Sequence, residues 1–182
     1  MFYEDLHIHS RYSRRDCDLP HLDLWARKKG IALVGTGDFT HPAWRQELQE
    51  QLLPAEEGLY RLKEAYRLPW DSAWPQGEPR FLVTGEISSI YKPGGKTRKV
   101  HNVLLLPHIW TPHFSLFGAF SGFDSLEECF GDLAPYVRAV ETGLSSDPPM
   151  NGRVPQLDAL QRVAHSDAHS PQKLGREADV LE

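Results

Sequence analysis

Short apolar runs alternate with helix-like stretches along this chain. Runs rich in Val, Ile, Leu and Phe are typical of strands, whereas apolar residues three and four positions apart are typical of amphipathic helices. Their alternation predicts an α/β fold with a largely parallel sheet. The predicted strands are Phe2–His7, Ile31–Thr36, Phe81–Gly85, Val100–Leu106, Val137–Glu141 and Arg162–Ala164.

The predicted helix Leu19–Lys29 has the clearest ends. Asp18 is suited to cap its first turn, Pro20 lies within that turn, and Gly30 follows the last helical residue. Pro, Gly and Trp residues mark 69–79 as a connecting loop, and a basic turn runs over 91–99. Further helices are predicted at Pro42–Leu53, Tyr60–Arg67 and Ser125–Leu133.

Length and composition predict one globular domain over residues 1–182, since 40 % of the residues are hydrophobic and 25 % are charged. The formal net charge of −5 provides no general field for nucleic acid, so a polyanion would depend on local basic loops. Cys17 and Cys129 lack C-x-x-C spacing, which argues against a disulfide framework. With no secretory signal pattern and no membrane-spanning apolar run, we expect a cytoplasmic protein without a membrane partner.

Polar pairs at the ends of the predicted strands carry the chemistry. His7 and His9 flank Ile8, and Asp167 and His169 flank Ala168, so each pair projects to one face of an extended segment. The carboxyl ends of parallel strands meet at one face, where scattered residues become a cluster. The candidate metal ligands are His7, His9, Asp16, Asp38, His41, Glu86, His101, His108, Asp167 and His169.

Imidazoles and carboxylates together are ligands for borderline divalent ions such as zinc and manganese. The number of candidates exceeds the three or four ligands that a single catalytic zinc needs. We therefore expect two or three divalent ions, with zinc, manganese or magnesium as the metal.

These segments resemble, in order, the four motifs of the PHP (polymerase and histidinol phosphatase) superfamily of metal-dependent phosphoesterases. The segments are Asp5–Ser10, Gly35–His41, His108 and Ser166–His169. Within the superfamily, the chain is similar to endonuclease Q along almost its whole length. The strings that carry this similarity are Asp38–Trp44, Glu86–Tyr91, Lys99–Asn102, His108–Ser115, Glu141–Asp147 and Ser166–Pro171.

The resemblance implies a distorted (β/α)7 TIM-like barrel of the PHP type, with a site of two or three metal ions. It also implies cleavage of a DNA strand on the 5′ side of a deaminated base such as uracil or hypoxanthine. In endonuclease Q relatives a spacer precedes the segment that begins here at His108, whereas only Pro107 separates Leu106 from it in this chain. We therefore expect a barrel short of about one βα unit.

Three functions remain open for this metal chemistry. The first is a metal-dependent endodeoxyribonuclease in which Asp167, His169 and Glu86 are catalytic and a metal-activated water attacks the phosphorus. The second is a PHP-type phosphatase on a small phosphoester. The third is a metal-binding remnant without catalysis, and a protein partner is equally left open.

DNA would be contacted by basic and aromatic side chains. The candidates for phosphate contact are Lys92, Lys96, Arg98, Lys99, Arg14 and Arg15. The candidates for stacking on an extruded base are Tyr91, Trp44 and Trp110. The alternative is that these charges are merely solvated and that the tryptophans fill the core.

Overall fold

A computed structural model describes residues 1–13, 16–71, 77–92, 95–102, 106–120 and 122–182 of the chain. They pack as two compact units, the first formed by Met1–Gly85 with His165–Glu182 and the second by Glu86–Ala164. Helices and strands interleave along both, which confirms the predicted mixed α/β character. In the described part of the chain, no helix has the combined length and apolar character needed to cross a bilayer.

In chain order, the strands are β1 (Phe2–Asp5), β2 (Ile31–Gly35), β3 (Leu52–Pro54), β4 (Tyr60–Leu62), β5 (Arg80–Leu82), β6 (Ile87–Tyr91), β7 (Arg98–Asn102), β8 (Ala139–Thr142), β9 (Gln161–Ala164) and β10 (Asp179–Leu181). The α-helices are α1 (Leu19–Lys29), α2 (Pro42–Gln51), α3 (Leu126–Phe130) and α4 (Pro148–Asn151). The 3₁₀ helices are Glu64–Tyr66, Gly131–Tyr136, Pro155–Leu157 and Pro171–Lys173.

The first unit is built on a six-stranded sheet with the order β10-β1-β2-β5-β4-β3. Strands β1, β2 and β5 run parallel, whereas β10 joins β1 and β4 joins β5 in antiparallel pairs. Among the described residues this sheet is open, with β10 and β3 at its edges. The sheet is therefore not a closed (β/α)7 barrel, because an antiparallel strand occupies the side of β1 where a further parallel strand would continue the ring.

Helix α1 begins and ends where its capping residues predict. The Asp18 side chain accepts a hydrogen bond from the His21 N–H at 2.9 Å, and Gly30 takes a left-handed conformation with φ of 72°. The helix buries Leu19, Leu22 and Ala26 in the core of the first unit. This packing fixes α1 against the sheet beside β2.

The helix predicted over Tyr60–Arg67 is wrong. Tyr60–Leu62 is strand β4, which pairs antiparallel with β3, and Glu64–Tyr66 forms a single 3₁₀ turn. Helix α2 ends at Gln51, because Leu52–Pro54 leaves the helix to form that pair. Leu52 and Leu62 face each other in register and are both buried, so the apolar contact across the hairpin stabilises strands in place of helix.

The second unit contains two small sheets. Strands β6 and β7 form an antiparallel hairpin in which Ile87 pairs with Asn102, and β8 and β9 form a parallel pair. The predicted strands do not include β6, and β7 starts two residues before the predicted Val100; positions 103–105 of that prediction lie outside the described residues. A core that includes Val100, Ile109 and Val140 packs within this unit.

Candidate metal centre

The first unit brings the H-x-H and D-x-H segments side by side. Ile8 forms a parallel bridge with Ala168, and the His9 N–H donates a hydrogen bond to the Ala168 carbonyl oxygen at 2.9 Å. Ile8 and Ala168 are both fully buried. Because neighbouring side chains of an extended segment point to opposite faces, the residues that flank these two are directed away from the core, onto a common face.

Three ligand atoms meet on that face. One atom each from His7, His9 and Asp167 lies within 4.8 Å of the other two. The Asp167 Oδ1 atom is 3.1 Å from His9 Nε2 and 3.7 Å from His7 Nε2. Two ligands placed tetrahedrally around a zinc ion are about 3.3–3.6 Å apart. These separations, and the combination of two imidazoles with one carboxylate, therefore fit one divalent ion.

His169 borders this group on its solvent side. Its ring centroid is 4.2 Å from that of His9, and its side chain is 35 % exposed. Its Nδ1 atom is 2.8 Å from the Asp167 carbonyl oxygen, which can only accept a hydrogen bond. Nδ1 is therefore the donor in this contact, so in the neutral imidazole Nε2 would be the acceptor nitrogen.

Asp38 supports His9 from the opposite ring nitrogen. Its Oδ1 atom is 3.7 Å from His9 Nδ1, and its Oδ2 atom accepts a hydrogen bond from the Ser10 N–H at 2.7 Å. His9 thus has a carboxylate near each ring nitrogen, the arrangement found around metal-binding histidines, where an outer carboxylate orients the ring.

Both carboxylates are ionised at neutral pH. Burial acts to raise the pKa of Asp38, but contacts with His9, Ser10 and Ser13 outweigh it and lower the pKa to about 2. Burial likewise acts against ionisation of Asp167. The hydrogen bond with His9 and electrostatic interactions with His7 and His169 nevertheless bring its pKa below the ordinary value. The pair therefore gives the face the negative charge that a cation would neutralise.

Backbone strain is concentrated at this centre. Asp38 and Asp167 have φ of 45° and 47°, in the left-handed region that L-residues seldom adopt. Gly37, with φ of 63°, lies so close to the H-x-H segment that an added Cβ would be 2.3 Å from the Ile8 carbonyl oxygen. The Trp44 indole N–H holds this loop by donating to the Thr36 and Gly37 carbonyl oxygens. Strain of this kind persists where the surroundings hold it, often at functional sites.

The second unit collects three further candidates. The Glu86 Oε1 atom is 2.5 Å from His101 Nδ1 and 3.1 Å from His108 Nε2. The hairpin pairs His101 with Ser88, two residues after Glu86, so Glu86 and His101 lie on the same face of the hairpin. The His108 N–H donates to Oε2 of the fully buried Glu141 at 2.8 Å, and His108 has φ of 33°. Glu141 therefore fixes a strained backbone at His108.

The two remaining ligand candidates lie elsewhere. His41 is exposed at the start of α2, where its ring stacks on Tyr12 with 4.2 Å between centroids. Asp16 is exposed in a turn before α1. Among the described residues, neither side chain joins the group of His7, His9 and Asp167.

The basic residues predicted to contact DNA phosphates differ in their exposure and in their contacts within the protein. Lys92 and Lys96 are exposed near the turn between β6 and β7. The Arg98 guanidinium donates to the Gly122 carbonyl oxygen and lies 3.3 Å from Glu128, and the Lys99 ammonium lies 5.1 Å from the centroid of the Phe114 ring. Arg14 and Arg15 are outside the described residues, as are Pro93 and Gly94 of the turn itself.

The aromatic residues predicted to stack on a base differ in their burial. Trp44 is fully buried and its indole N–H is engaged, so in this structure it does not offer a ring face to a base. Tyr91 is half-buried against the edge of Phe123. Trp110 is half-buried and donates its indole N–H to Asn151 Oδ1 at 2.9 Å.

Ser10 and Glu141 have roles at these sites that the sequence did not predict. Ser10 acts through its backbone N–H, which no residue pattern reports. Glu141 did carry a signal, because it lies near the end of a predicted strand, as Glu86 does.

No model of a known protein family matches the chain. Two curated proteins match parts of it. Uncharacterized protein YqxK of Bacillus subtilis is 42 % identical over 96 residues, which is 50 % of this chain and 24 % of that protein. Uncharacterized protein MJ0043 of Methanocaldococcus jannaschii is 38 % identical over 79 residues, which is 42 % of this chain and 9 % of that protein. The chain thus matches only a small part of each relative.

Two solved structures have a similar fold over the whole chain. One is the lesion-specific endonuclease PfuEndoQ from Pyrococcus furiosus, with a TM-score of 0.74 and 23 % identity. The other is endonuclease Q in complex with a 27-mer duplex substrate that carries an abasic lesion at the active site, with a TM-score of 0.75 and 24 % identity. All of this chain is covered in both comparisons, but only 53 % of each of those chains. The mixed α/β fold is therefore similar to that of about half of the endonuclease Q chain.

Proposed function

We propose that this protein is a metal-dependent phosphodiester hydrolase, an endonuclease Q-like enzyme of the PHP type. The observation that carries the proposal is the meeting of His7, His9 and Asp167 on one face, set by the bridge between Ile8 and Ala168. The likeness in fold to a lesion-specific endonuclease supports the choice of a nuclease among hydrolases. The proposal includes a PHP-type barrel that is short of about one βα unit and is therefore left open.

His7, His9 and Asp167 would hold a divalent cation, as zinc or manganese, because their donors suit borderline ions. When bound, such an ion lowers the pKa of a water ligand and neutralises charge on phosphate oxygens. Asp38 contributes by orienting His9 through the second ring nitrogen. Glu86, His101 and His108 in the second unit are the proposed ligands for a further ion, which makes two ions, the lower of the expected numbers.

His169 is suited to handle a proton. Its Nδ1–H is held by the Asp167 carbonyl oxygen, which orients the ring and leaves Nε2 as the acceptor. The partial exposure of the side chain would let a substrate reach the ring. We assign His169 either this proton-transfer role or a place among the ligands of the ion, and Asp167 the role of a ligand that the reaction cannot lose.

The proposed substrate is DNA with a deaminated base, uracil or hypoxanthine, cleaved on the 5′ side as a step of DNA repair in the cytoplasm. Lys92 and Lys96 are exposed and available for phosphate oxygens, with Arg98 and Lys99 next along the same hairpin. Tyr91 and Trp110 remain the candidates for stacking, whereas the burial of Trp44 removes it from this role.

The test is cleavage of end-labelled duplexes that contain a single uracil, hypoxanthine or abasic site, in manganese, against an undamaged duplex of the same sequence. Asp167→Asn should lower nicking at least ~100-fold, because it removes a ligand charge, while the exposed Asp158→Asn serves as a control that keeps full activity. Unchanged nicking by Asp167→Asn with unchanged metal content would refute the proposal.

The same preparations distinguish the other two functions. Release of phosphate from an aryl phosphate without any nicking of DNA indicates a phosphatase. Bound metal with neither reaction indicates a metal-binding protein without catalysis.

A further inference from the structure

The first unit contains a second group of metal-ligating side chains, which shares no residue with the centre described above. It consists of Glu4 on β1, Asp179 on β10, and His165. One ligand atom from each lies within 4.8 Å of the other two. Glu4 and His165 are 7 % and 2 % exposed, and the side chain of Asp179 is 24 % exposed. The group is therefore shielded by the fold but open to solvent on the Asp179 side.

The two carboxylates face each other directly across a strand pair. Strands β1 and β10 are antiparallel, and Glu4 is the register partner of Asp179. Like charges at directly opposed positions destabilise such a pair. Burial raises the pKa of Glu4, and Asp179 and Asp5 act in the same direction, whereas His165 acts to lower it. A cation between the two carboxylates would remove this repulsion and stabilise the edge of the sheet.

His165 is held in place to complete the group. The next residue, Ser166, donates its N–H to Asp5 Oδ1 at 3.0 Å, which ties this segment to β1. The His165 Nε2 atom is 3.7 Å from Asp179 Oδ2. That separation is close to the roughly 3.3–3.6 Å between two ligands of one tetrahedral ion.

We propose that Glu4, His165 and Asp179 bind a borderline divalent cation of the zinc class, with water completing its coordination. One imidazole and two carboxylates are ligands that zinc accepts. The ion would join β10 to β1, and its role would be structural, since two of its three ligands are buried. The site stands independently of hydrolysis at the other centre.

The test is the zinc content of the purified protein after dialysis, measured by inductively coupled plasma mass spectrometry. His165→Gln and Asp179→Asn should each lose one zinc ion per chain, both in the wild-type background and in Asp167→Asn. Glu182→Gln, an exposed acidic residue directly after β10, is the matched control and should lose none. Zinc content unchanged in His165→Gln and Asp179→Asn would overturn the proposal, whatever ions the other centre binds.

Thermal unfolding gives a second readout. Zinc should raise the Tm of wild-type protein by several degrees over its Tm in EDTA, because the ion binds only the folded chain. In the Asp167→Asn background, Asp179→Asn should be at least as stable in EDTA, because it removes a charge that faces Glu4, and it should lose the increase in Tm that zinc gives. An equal increase in Asp179→Asn counts against the site. Loss of nicking in Asp167→Asn with the zinc-dependent Tm retained would separate the two centres.

Discussion

Asp38 accepts a hydrogen bond from the backbone N–H of Ser10, with 2.7 Å between Oδ2 and the nitrogen. The loop after β2 is thereby joined to the end of the H-x-H segment, so the orientation of His9 depends on a residue from the next strand along the chain. Asp38 makes this link with a φ of 45°.

Asp38→Ala should therefore lower the free energy of unfolding clearly more than Asp38→Asn does. Alanine removes the acceptor of a largely buried N–H, which lowers the stability by about 1–3 kcal/mol. Its left-handed backbone conformation lowers the stability by roughly 1–2 kcal/mol more. Asparagine keeps an acceptor oxygen and tolerates that φ. Urea unfolding of the two variants measures the difference, and equal stability would show that the Ser10 contact contributes little.

Gly37→Ala should destabilise the first unit and disturb the centre. Its φ is 63°, and its added Cβ would meet the Ile8 carbonyl oxygen. Gly58→Ala is the matched control, because Gly58 has φ of 75° but no atom within 4 Å of an added Cβ. We expect Gly58→Ala to lower the free energy of unfolding by about 1 kcal/mol, from the backbone alone. Gly37→Ala should lower it substantially more. Chemical denaturation distinguishes them; equal losses would mean that the loop moves aside freely.

Asp23→Ala should lower the free energy of unfolding by about 3–5 kcal/mol, because it leaves the guanidinium of Arg27 buried without its carboxylate partner. The two side chains are 0 % and 7 % exposed and 2.7 Å apart, one turn apart on α1. Asp158→Ala breaks an exposed pair of the same spacing with Arg162, and should cost below about 0.5 kcal/mol. If both variants unfold at the same denaturant concentration, the buried pair contributes no more than a surface pair.

Both cysteine thiols should resist alkylation in the folded protein. Burial first, and nearby acidic residues second, raise the pKa of Cys17 and of Cys129 to about 12. At pH 8 only about one thiol in ten thousand is then a thiolate. Mass spectrometry after iodoacetamide treatment should show modification only once the unit that carries each cysteine opens. Rapid labelling of either residue in native buffer would contradict the assigned burial.

The same shift sets a direction for stability at alkaline pH. A thiol pKa raised in the folded state stabilises the fold below the pKa of the unfolded thiol, near 8.5. That contribution is lost progressively as pH rises from about 9 towards 12. Substituting Cys17→Ala and Cys129→Ala together should weaken this pH dependence in thermal melts.

The parts of the fold and of the site that could be predicted from the sequence are those set by neighbouring residues in the chain. Helix α1 is predictable over its full length because Asp18 and Gly30 define its ends within the chain itself. The H-x-H and D-x-H pairs are recognisable because alternation along a strand is a local property. In the structure, the bridge between Ile8 and Ala168 lies between the two pairs.

The parts that could not be predicted depend on pairing and packing between residues that are distant in the sequence. Nothing in the polar stretch at Tyr60 indicates that it pairs with Leu52–Pro54, so its pattern favours a helix over a three-residue strand. The register that sets Glu4 opposite Asp179 depends on a strand at the far end of the chain. The burial of Trp44 depends on tertiary packing, and composition alone leaves its role open.

His9 and Asp167 are separated by 158 residues in the chain. Closing a loop of that length costs roughly 4.5 kcal/mol of chain entropy beyond a constant, and the second unit lies entirely within it. During synthesis on the ribosome, the intervening residues are made, and can pack, before Asp167 exists. The candidate metal centre thus matures late in biogenesis, and any binding of an ion by all three residues would follow translation of Asp167.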